Sequence, residues 1–182
     1  MDETETRTAP GGRLTPTLIA AAIVLAAATL RLVALDRLPP GLHFDEAVYG
    51  LLAEDIRAGA RPVFFSAYTG REPLYMYVMA AVFAAVGPSA WAIRLTSALA
   101  GVVTVALVFA LGRALFGPRA AAGAALAVAL GFWPIVVSRN GYPNVLIPPL
   151  EAAAAWCLWR GWTSGRRRGR CGYRRRTYNR RR

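Results

Sequence analysis

The chain contains no lysine, a single histidine and two cysteines, and these shortages exclude several classes of site. All 22 basic residues among its 182 are arginine. One histidine, His43, cannot build a histidine-rich metal centre, and Cys157 and Cys171 form neither a CxxC motif nor a zinc-type spacing. Because no pattern marks a nucleophile to pair with His43, the sequence also argues against a Ser-His-Asp hydrolase.

Charged residues are scarce, which argues against an ordinary soluble domain. Only 18% of the chain is charged and 55% is hydrophobic, with a mean hydropathy of +0.35, whereas average soluble domains carry roughly 25% charged residues. Apolar runs of close to 20 residues recur along the chain. This pattern predicts an all-α, polytopic membrane protein, and its many alanines and glycines suit close helix packing in a bilayer.

The net charge of +12 belongs to the end of the chain, because ten of the 22 arginines lie between Arg166 and Arg182. We expect residues 163–182 to form a disordered, arginine-rich tail, and residues 1–13 to be disordered at the cytoplasmic face. The composition of the tail is typical of out-of-frame translation of GC-rich coding sequence. If the tail is instead a genuine part of the protein, anionic membrane lipid and nucleic acid are its alternative partners. For the protein as a whole, no nucleic-acid partner is predicted.

Four apolar segments are predicted to cross the membrane. They are residues 14–35, 90–116, 120–137 and 144–159, the last with Pro148 and Pro149 at its start. A signal peptide is the alternative interpretation of the first segment.

Two shorter helices are predicted between the first and second spans. Residues 47–57 place apolar side chains on one stripe, which predicts an amphipathic surface helix that Gly59 ends; the stripe consists of Val48, Leu51, Leu52 and Ile56. Residues 74–87 are apolar but reach only roughly 21 Å, less than the ~30 Å hydrocarbon core. They are predicted to form a re-entrant helix that does not cross.

The arginines predict the orientation of the chain in a cell membrane. The turn at residues 112–119 and the C-terminal tail are basic and should be cytoplasmic. With residues 74–87 not crossing, the N-terminus is also cytoplasmic. The loop that carries Asp45 and Glu46 is then extracytoplasmic.

This topology gathers charged side chains at the outer surface, where they suit a lipid-linked phosphate. Arginine binds phosphate through a planar fork of donors, and a carboxylate can deprotonate a hydroxyl or hold a divalent ion. The residues concerned are Asp45, Glu46, Arg71, Glu72, Arg94 and Arg139. Structural alternatives are an N-cap role for Asp45, interfacial positions for Arg94 and Arg139, and a local Arg71–Glu72 ion pair.

Four motifs in this order resemble the N-terminal part of the C-type membrane glycosyltransferases. This superfamily includes the protein O-mannosyltransferases, the lipid A aminoarabinose transferases and related bacterial glycosyltransferases. The resemblance covers roughly residues 14–162. The motifs are Phe44-Asp-Glu-Ala, Arg71-Glu-Pro-Leu-Tyr, Ala92-Ile-Arg-Leu-Thr-Ser-Ala-Leu-Ala-Gly and Ser138-Arg139.

The resemblance implies sugar transfer from a polyprenyl-phosphate-linked donor to a lipid, glycan or protein acceptor at the outer face. It assigns the base to Asp45 with Glu46 as its partner, and the donor phosphate to Arg94 and Arg139. It suggests further contacts with donor or acceptor for four residues, namely Arg71, Glu72, Tyr75 and Asn144. It assigns no metal ligand and leaves a divalent cation open as a cofactor.

The chain departs from the family pattern in two positions and in length. Glu72 stands where relatives often carry a basic residue or proline, and Asn144 stands about where the mannosyltransferases carry an acid. Family members have many more spans, so we expect an incomplete and inactive copy. The alternative functions are a non-catalytic membrane subunit or scaffold, and a small transporter-like bundle.

Overall fold

The computed structural model describes residues 14–66 and 70–178, with the side-chain environments of residues 16–66 and 70–164. Within these ranges the fold is all-α, as predicted, and the only β-type pairing is an isolated bridge between Phe65 and Arg71. The helices are α1 (Leu14–Leu32), α2 (Phe44–Arg57), α3 (Leu74–Val86), α4 (Ala90–Leu115), α5 (Pro118–Leu130), α6 (Phe132–Arg139), a 3-10 helix (Pro143–Leu146) and α7 (Ile147–Tyr178).

Helix α2 begins three residues before its predicted start, at Phe44. His43 is its N-cap, and a capping box joins His43 to Glu46. The helix ends at Arg57, and Gly59 follows with a φ of +114°, a conformation that glycine adopts without a steric penalty. The predicted role of Gly59 in ending the helix is therefore confirmed.

The predicted apolar stripe of α2 is wrong at one position. Val48, Leu52 and Ile56 are buried, but Leu51 is 64% exposed. Tyr49 and Ala53 are buried instead, because the helix is rotated so that their side faces α3 and α4. The buried face of α2 joins a core with residues of those two helices, namely Tyr75, Met76, Met79, Phe83 and Ile93.

Helix α4 is the centre of the bundle, where it packs against α1, α3, α5, α6, α7 and the 3-10 helix. Small residues make the closest approaches, as is common between membrane helices. A Cβ placed on Gly101 would lie 2.5 Å from Cβ of Ser138 in α6, and one placed on Gly112 would lie 3.0 Å from Cα of Ala121 in α5.

The predicted span 120–137 is not one straight helix, because it breaks at Gly131. Helices α5 and α6 meet there at a bend of 55°. Gly131 adopts an extended conformation with ψ of 135°, and Pro134 follows in the first turn of α6, where a missing N–H is tolerated. The break leaves the last carbonyls of α5 without partners in that helix.

Among the described helices, one is long and apolar enough to cross a membrane, namely Ala90–Leu115. The bent α5–α6 pair is also long and apolar enough if the two helices are counted as one span. The predicted count of four spans is not confirmed. The apolar part of α1, Pro16–Leu32, and α3 belong to a shorter class of apolar helix. Leu74–Val86 is helical as predicted, while its re-entrant path stays a prediction.

Helix α7 starts at Ile147, after the 3-10 helix, and continues to Tyr178. Pro148 and Pro149 lie in its first turn, where proline is tolerated. The helix therefore runs through most of the segment predicted to be a disordered tail, 163–182. The predicted disorder of residues 1–13 and 179–182 concerns positions outside the described residues.

The packing at α4 predicts opposite effects for two glycine-to-alanine substitutions. Gly101→Ala places a methyl group against Ser138 and should lower the free energy of unfolding by about 1–3 kcal/mol. Gly123→Ala, the matched control in α5, meets nothing within 4 Å, and should raise it by about 0.5–1 kcal/mol through helix propensity. Unfolding followed by circular dichroism in detergent measures both. Equal stabilities of the two variants would contradict the packing described at Gly101.

Candidate functional site

Glu46 is fully engaged by backbone groups at the N-terminus of α2. Its Oε2 accepts a hydrogen bond of 2.9 Å from the N–H of His43, and its Oε1 accepts one of 2.6 Å from the N–H of Gly141. The residue is 1% exposed. Glu46 therefore ties the start of α2 to the loop between α6 and the 3-10 helix.

Gly141 is the position that lets this loop approach Glu46. A Cβ on Gly141 would lie 2.4 Å from Cγ2 of Ile93 and 3.3 Å from Cγ of Glu46. A side chain at this position would require the side chain of Ile93 to move, and that of Glu46 to shift slightly. The glycine therefore sets the distance between the α6 end of the bundle and the acidic pair.

The carboxylate of Asp45, the other acid of the pair, is not engaged by backbone groups as that of Glu46 is. Its side chain is 40% exposed, and its Oδ2 lies 4.0 Å from Nδ1 of His43. Within the described ranges no group donates a hydrogen bond to that carboxylate. The backbone N–H of Asp45 donates to Nδ1 of His43, so the N-cap is His43, and the alternative N-cap role of Asp45 is not observed.

Three aromatic rings lie beside Asp45. Tyr142 lies 6.0 Å from the His43 ring and 6.5 Å from the Tyr49 ring, centroid to centroid. Burial raises the pKa of Tyr142, and the charges of Asp45 and Glu46 raise it further. The charge of Asp45 therefore affects the pKa of a tyrosine in a different loop, the one between α6 and the 3-10 helix.

Arg71 lies against the same aromatic cluster as Asp45. Its Cζ lies 5.3 Å from the centroid of the Tyr49 ring, which is a cation–π distance. Burial raises the pKa of Tyr49, while the charge of Arg71 lowers it and that of Asp45 raises it. The Nε of Arg71 is buried and has no hydrogen-bond partner in the described structure.

Arg139 is engaged by the C-terminal end of α1. Its two terminal nitrogens donate to four carbonyls at distances between 2.9 and 3.2 Å. The acceptors are the carbonyl oxygens of Leu30, Arg31, Ala34 and Leu38. Arg139 therefore supplies donors to the carbonyls of Leu30 and Arg31 in the last turn of α1. It also binds the carbonyl of Ala34, which accepts backbone hydrogen bonds from Arg37 and Leu38 as well.

Arg94 holds the same connecting segment from the other side. It is 3% exposed, and its terminal nitrogens donate to the carbonyls of Leu35 and Gly41. Its Nε is buried without a partner among the residues described. Arg94 and Arg139 thus both hold residues 30–41, which lead directly to His43 and the acidic pair.

Arg31 is a structural arginine that the sequence analysis missed. It is fully buried, and it donates to the carbonyls of Val128 and Ala129 at 3.0 and 3.1 Å, where α5 ends. A third bond goes to Ala27 in its own helix. Two features of the sequence could have identified it. Arg31 lies in an apolar segment, and Gly131 and Pro134 in another apolar segment indicate a helix break whose carbonyls need donors.

The remaining predicted site residues lie at different depths around this cluster. Tyr75 is buried, its hydroxyl lies 2.7 Å from Oγ of Ser97, and its ring meets that of Tyr49 edge to face at 6.3 Å. Glu72 and Asn144 are exposed. No ion pair joins Arg71 to Glu72 in the part of the chain that is described, so that alternative is not observed.

The acids and arginines predicted to form the site therefore meet at one end of the bundle, but through unequal contacts. Glu46, Arg94 and Arg139 bind backbone, while Asp45 and Arg71 lie on the aromatic cluster. Within residues 14–66 and 70–178, no group of three His, Cys, Asp or Glu side chains could hold a metal ion.

Comparison with known proteins identifies one family. A family model described as dolichyl-phosphate-mannose-protein mannosyltransferase matches residues 70–171, more than half of the chain. The matched segment includes Arg71, Arg94 and Arg139, whereas Asp45 and Glu46 precede it. No curated protein and no solved structure matches the chain.

The geometry predicts that the two neighbouring acids differ in their effect on stability. In Glu46→Gln the amide nitrogen cannot accept a hydrogen bond, so one buried N–H loses its acceptor and the free energy of unfolding should fall by about 1–3 kcal/mol. Asp45→Asn removes only a charge near a helix N-terminus and should lower it by about 0.5 kcal/mol. Chemical denaturation in detergent compares the two, and a larger loss for Asp45→Asn would contradict these contacts.

Proposed function

The chain belongs to the dolichyl-phosphate-mannose-protein mannosyltransferase family of membrane glycosyltransferases, and we propose that it transfers a sugar from a polyprenyl-phosphate-linked donor to an acceptor at the outer membrane face. The family's name supports a lipid-phosphate-linked sugar as the class of donor. Mannose is the sugar to test first. The acceptor is a hydroxyl group of a lipid, glycan or protein.

The observation that carries this proposal is the difference between Asp45 and Glu46. A general base must have a carboxylate that can reach the proton it removes. Both oxygens of Glu46 already accept backbone hydrogen bonds, whereas the carboxylate of Asp45 is partly exposed.

In the proposed reaction Asp45 takes the proton of the acceptor hydroxyl. The acceptor oxygen forms a bond to the anomeric carbon of the sugar as the bond from that carbon to the phosphate oxygen breaks. The polyprenyl phosphate leaves with the bonding electron pair. Glu46 acts as a positioning residue, because it fixes the start of α2 against the loop at Gly141.

Arg71 is proposed to contact the departing phosphate. Its guanidinium lies over the Tyr49 ring, and the pKa of Tyr49 is raised by burial and by the charge of Asp45, so Arg71 and Asp45 lie on the same aromatic side chain. The assignment of the donor phosphate to Arg94 and Arg139 stays a prediction. All four terminal hydrogens of Arg139 go to carbonyls, so the geometry favours Arg71.

The proposed location is the cell membrane, in a multi-pass arrangement with a cytoplasmic N-terminus. It is supported by the positions of the charges along α4. Arg94 and the acidic pair lie at its first turns, whereas Arg113 lies in its last turn. An extracytoplasmic Asp45 then leaves the basic end of the bundle at the cytoplasmic face, as the positive-inside rule requires.

The proposal is tested by transfer of radiolabelled mannose from a polyprenyl phosphate to membrane acceptors in vesicles that contain the full chain. The wild-type chain should catalyse transfer; the incomplete and inactive copy expected from its small number of spans would not. Asp45→Asn should lower kcat by about 10²–10⁴-fold, the range expected for loss of a general base. In the same assay Arg71→Gln should raise KM for the donor.

Asp55→Asn provides the matched control, because it removes an exposed acid from the far end of the same helix. It should leave transfer unchanged. Absence of transfer by the wild-type chain, or undiminished turnover by Asp45→Asn, would overturn the proposal.

A further inference from the structure

A second charged region lies at the end of the bundle opposite Asp45. A cavity of about 680 Å³ opens there between α1, α4 and α7. Arg94 and Arg113 mark the two ends of α4, and they lie roughly 28 Å apart along its axis at 1.5 Å per residue. This separation is close to the ~30 Å thickness of the hydrocarbon core, so the cavity lies near the other membrane surface.

The walls of this cavity combine two kinds of chemistry. Apolar groups from α1 and α4 line its depth, including Ala20, Phe109 and Ala110. Arg113 of α4 and Arg160 of α7 also line the cavity, and because both are exposed they lie at its rim. This division matches an amphiphile that has an aliphatic part and an anionic head.

The cationic rim is held by two tryptophans of α7. Cζ of Arg160 lies 4.9 Å from the ring centroid of Trp156, which fixes the guanidinium over an aromatic face. Nε1 of Trp159 donates a hydrogen bond of 3.1 Å to the carbonyl of Ala114, which joins α7 to the end of α4. The rim is therefore built before any ligand binds.

No acid neutralises these arginines within the described part of the chain. The carboxylates there lie either in residues 36–72 or at Glu151, at the start of α7. The salt bridges involve Arg37, His43 and Arg57, and neither Arg113 nor Arg160 takes part in one. A neighbouring cavity of about 370 Å³, which shares Phe109, adds Arg119 at the same end. Among the described residues, this end therefore carries an excess of positive charge.

We infer that the cavity between α1, α4 and α7 binds the headgroup of an anionic phospholipid of the cytoplasmic leaflet. Arg113 and Arg160 contact the phosphate, because guanidinium groups donate paired hydrogen bonds to phosphate oxygens. The acyl chains lie along Ala20 and Phe109. The site is separate from the proposed sugar-transfer centre and does not depend on that reaction.

Native mass spectrometry of the detergent-solubilised full chain tests this inference, with phosphatidylglycerol and phosphatidylcholine supplied in equal amounts. The wild-type chain should retain phosphatidylglycerol preferentially. Arg113→Gln/Arg160→Gln should lower the ratio of bound phosphatidylglycerol to phosphatidylcholine by about tenfold or more, as two juxtamembrane charges are lost. Arg113→Lys/Arg160→Lys should keep most of the preference.

Arg37→Gln/Arg57→Gln is the matched control, because it removes the same charge at the Asp45 end and should leave the ratio unchanged. Ala20→Phe narrows the apolar wall without changing charge and should also lower retention, which covers the case of a poorly folded arginine variant. The inference is overturned if the wild-type chain shows no preference for phosphatidylglycerol. It is also overturned if the glutamine variant folds and keeps that preference, since the arginines beyond residue 164 would then bind the lipid. Displacement of the lipid by millimolar inorganic phosphate would also overturn it.

Discussion

Backbone carbonyls that are left without partners where helices end inside an apolar bundle are the constraint on which this structure depends. A buried carbonyl without a donor destabilises the fold by about as much as a lost hydrogen bond. Three arginines meet this requirement. Arg139 donates to the end of α1, Arg31 donates to the end of α5 at the Gly131 break, and Arg94 donates to the segment that follows α1. Each guanidinium carries several donors in one plane, which a lysine cannot supply.

The same contacts determine where the acidic pair lies. Residues 33–43 form a connection without a helix of their own, yet they are held at both sides by Arg94 and Arg139. Glu46 then joins the start of α2 to the N–H of Gly141. As a result Asp45 is presented beside the aromatic cluster by a loop whose position is fixed by structural charges. Most of the charges gathered at this end of the bundle therefore hold backbone groups, and Asp45 is the acid proposed to act on substrate.

Much of the fold was predictable from sequence, because apolar periodicity and glycine positions carry it. The helices α2, α3 and α4 follow from such patterns. The capping box between His43 and Glu46 was not predicted, because histidine is not among the residues that usually cap a helix. The bend at Gly131 was indicated by Gly131 and Pro134 but was not predicted. The roles of the arginines could not be predicted in the same way, because their long-range acceptors are carbonyls about 50 to 110 residues away in sequence. No side-chain pattern marks a carbonyl. The separation of Asp45 from Glu46 likewise depends on Gly141, which lies 95 residues from Glu46.

Amide hydrogen exchange of residues 33–38 in the Arg139→Gln variant tests the central claim most directly. The N–H of Val33 donates to the carbonyl of Thr29 in α1, and the N–H groups of Arg37 and Leu38 donate to the carbonyl of Ala34. Exchange of these amides therefore reports whether the segment stays in place. If Arg139 holds the end of α1, exchange of these amides should accelerate about tenfold or more, as expected for the loss of about 1.4 kcal/mol or more of local stability. Arg119→Gln, at the opposite end of the bundle, should leave it unchanged. Unaltered exchange in Arg139→Gln would contradict the account.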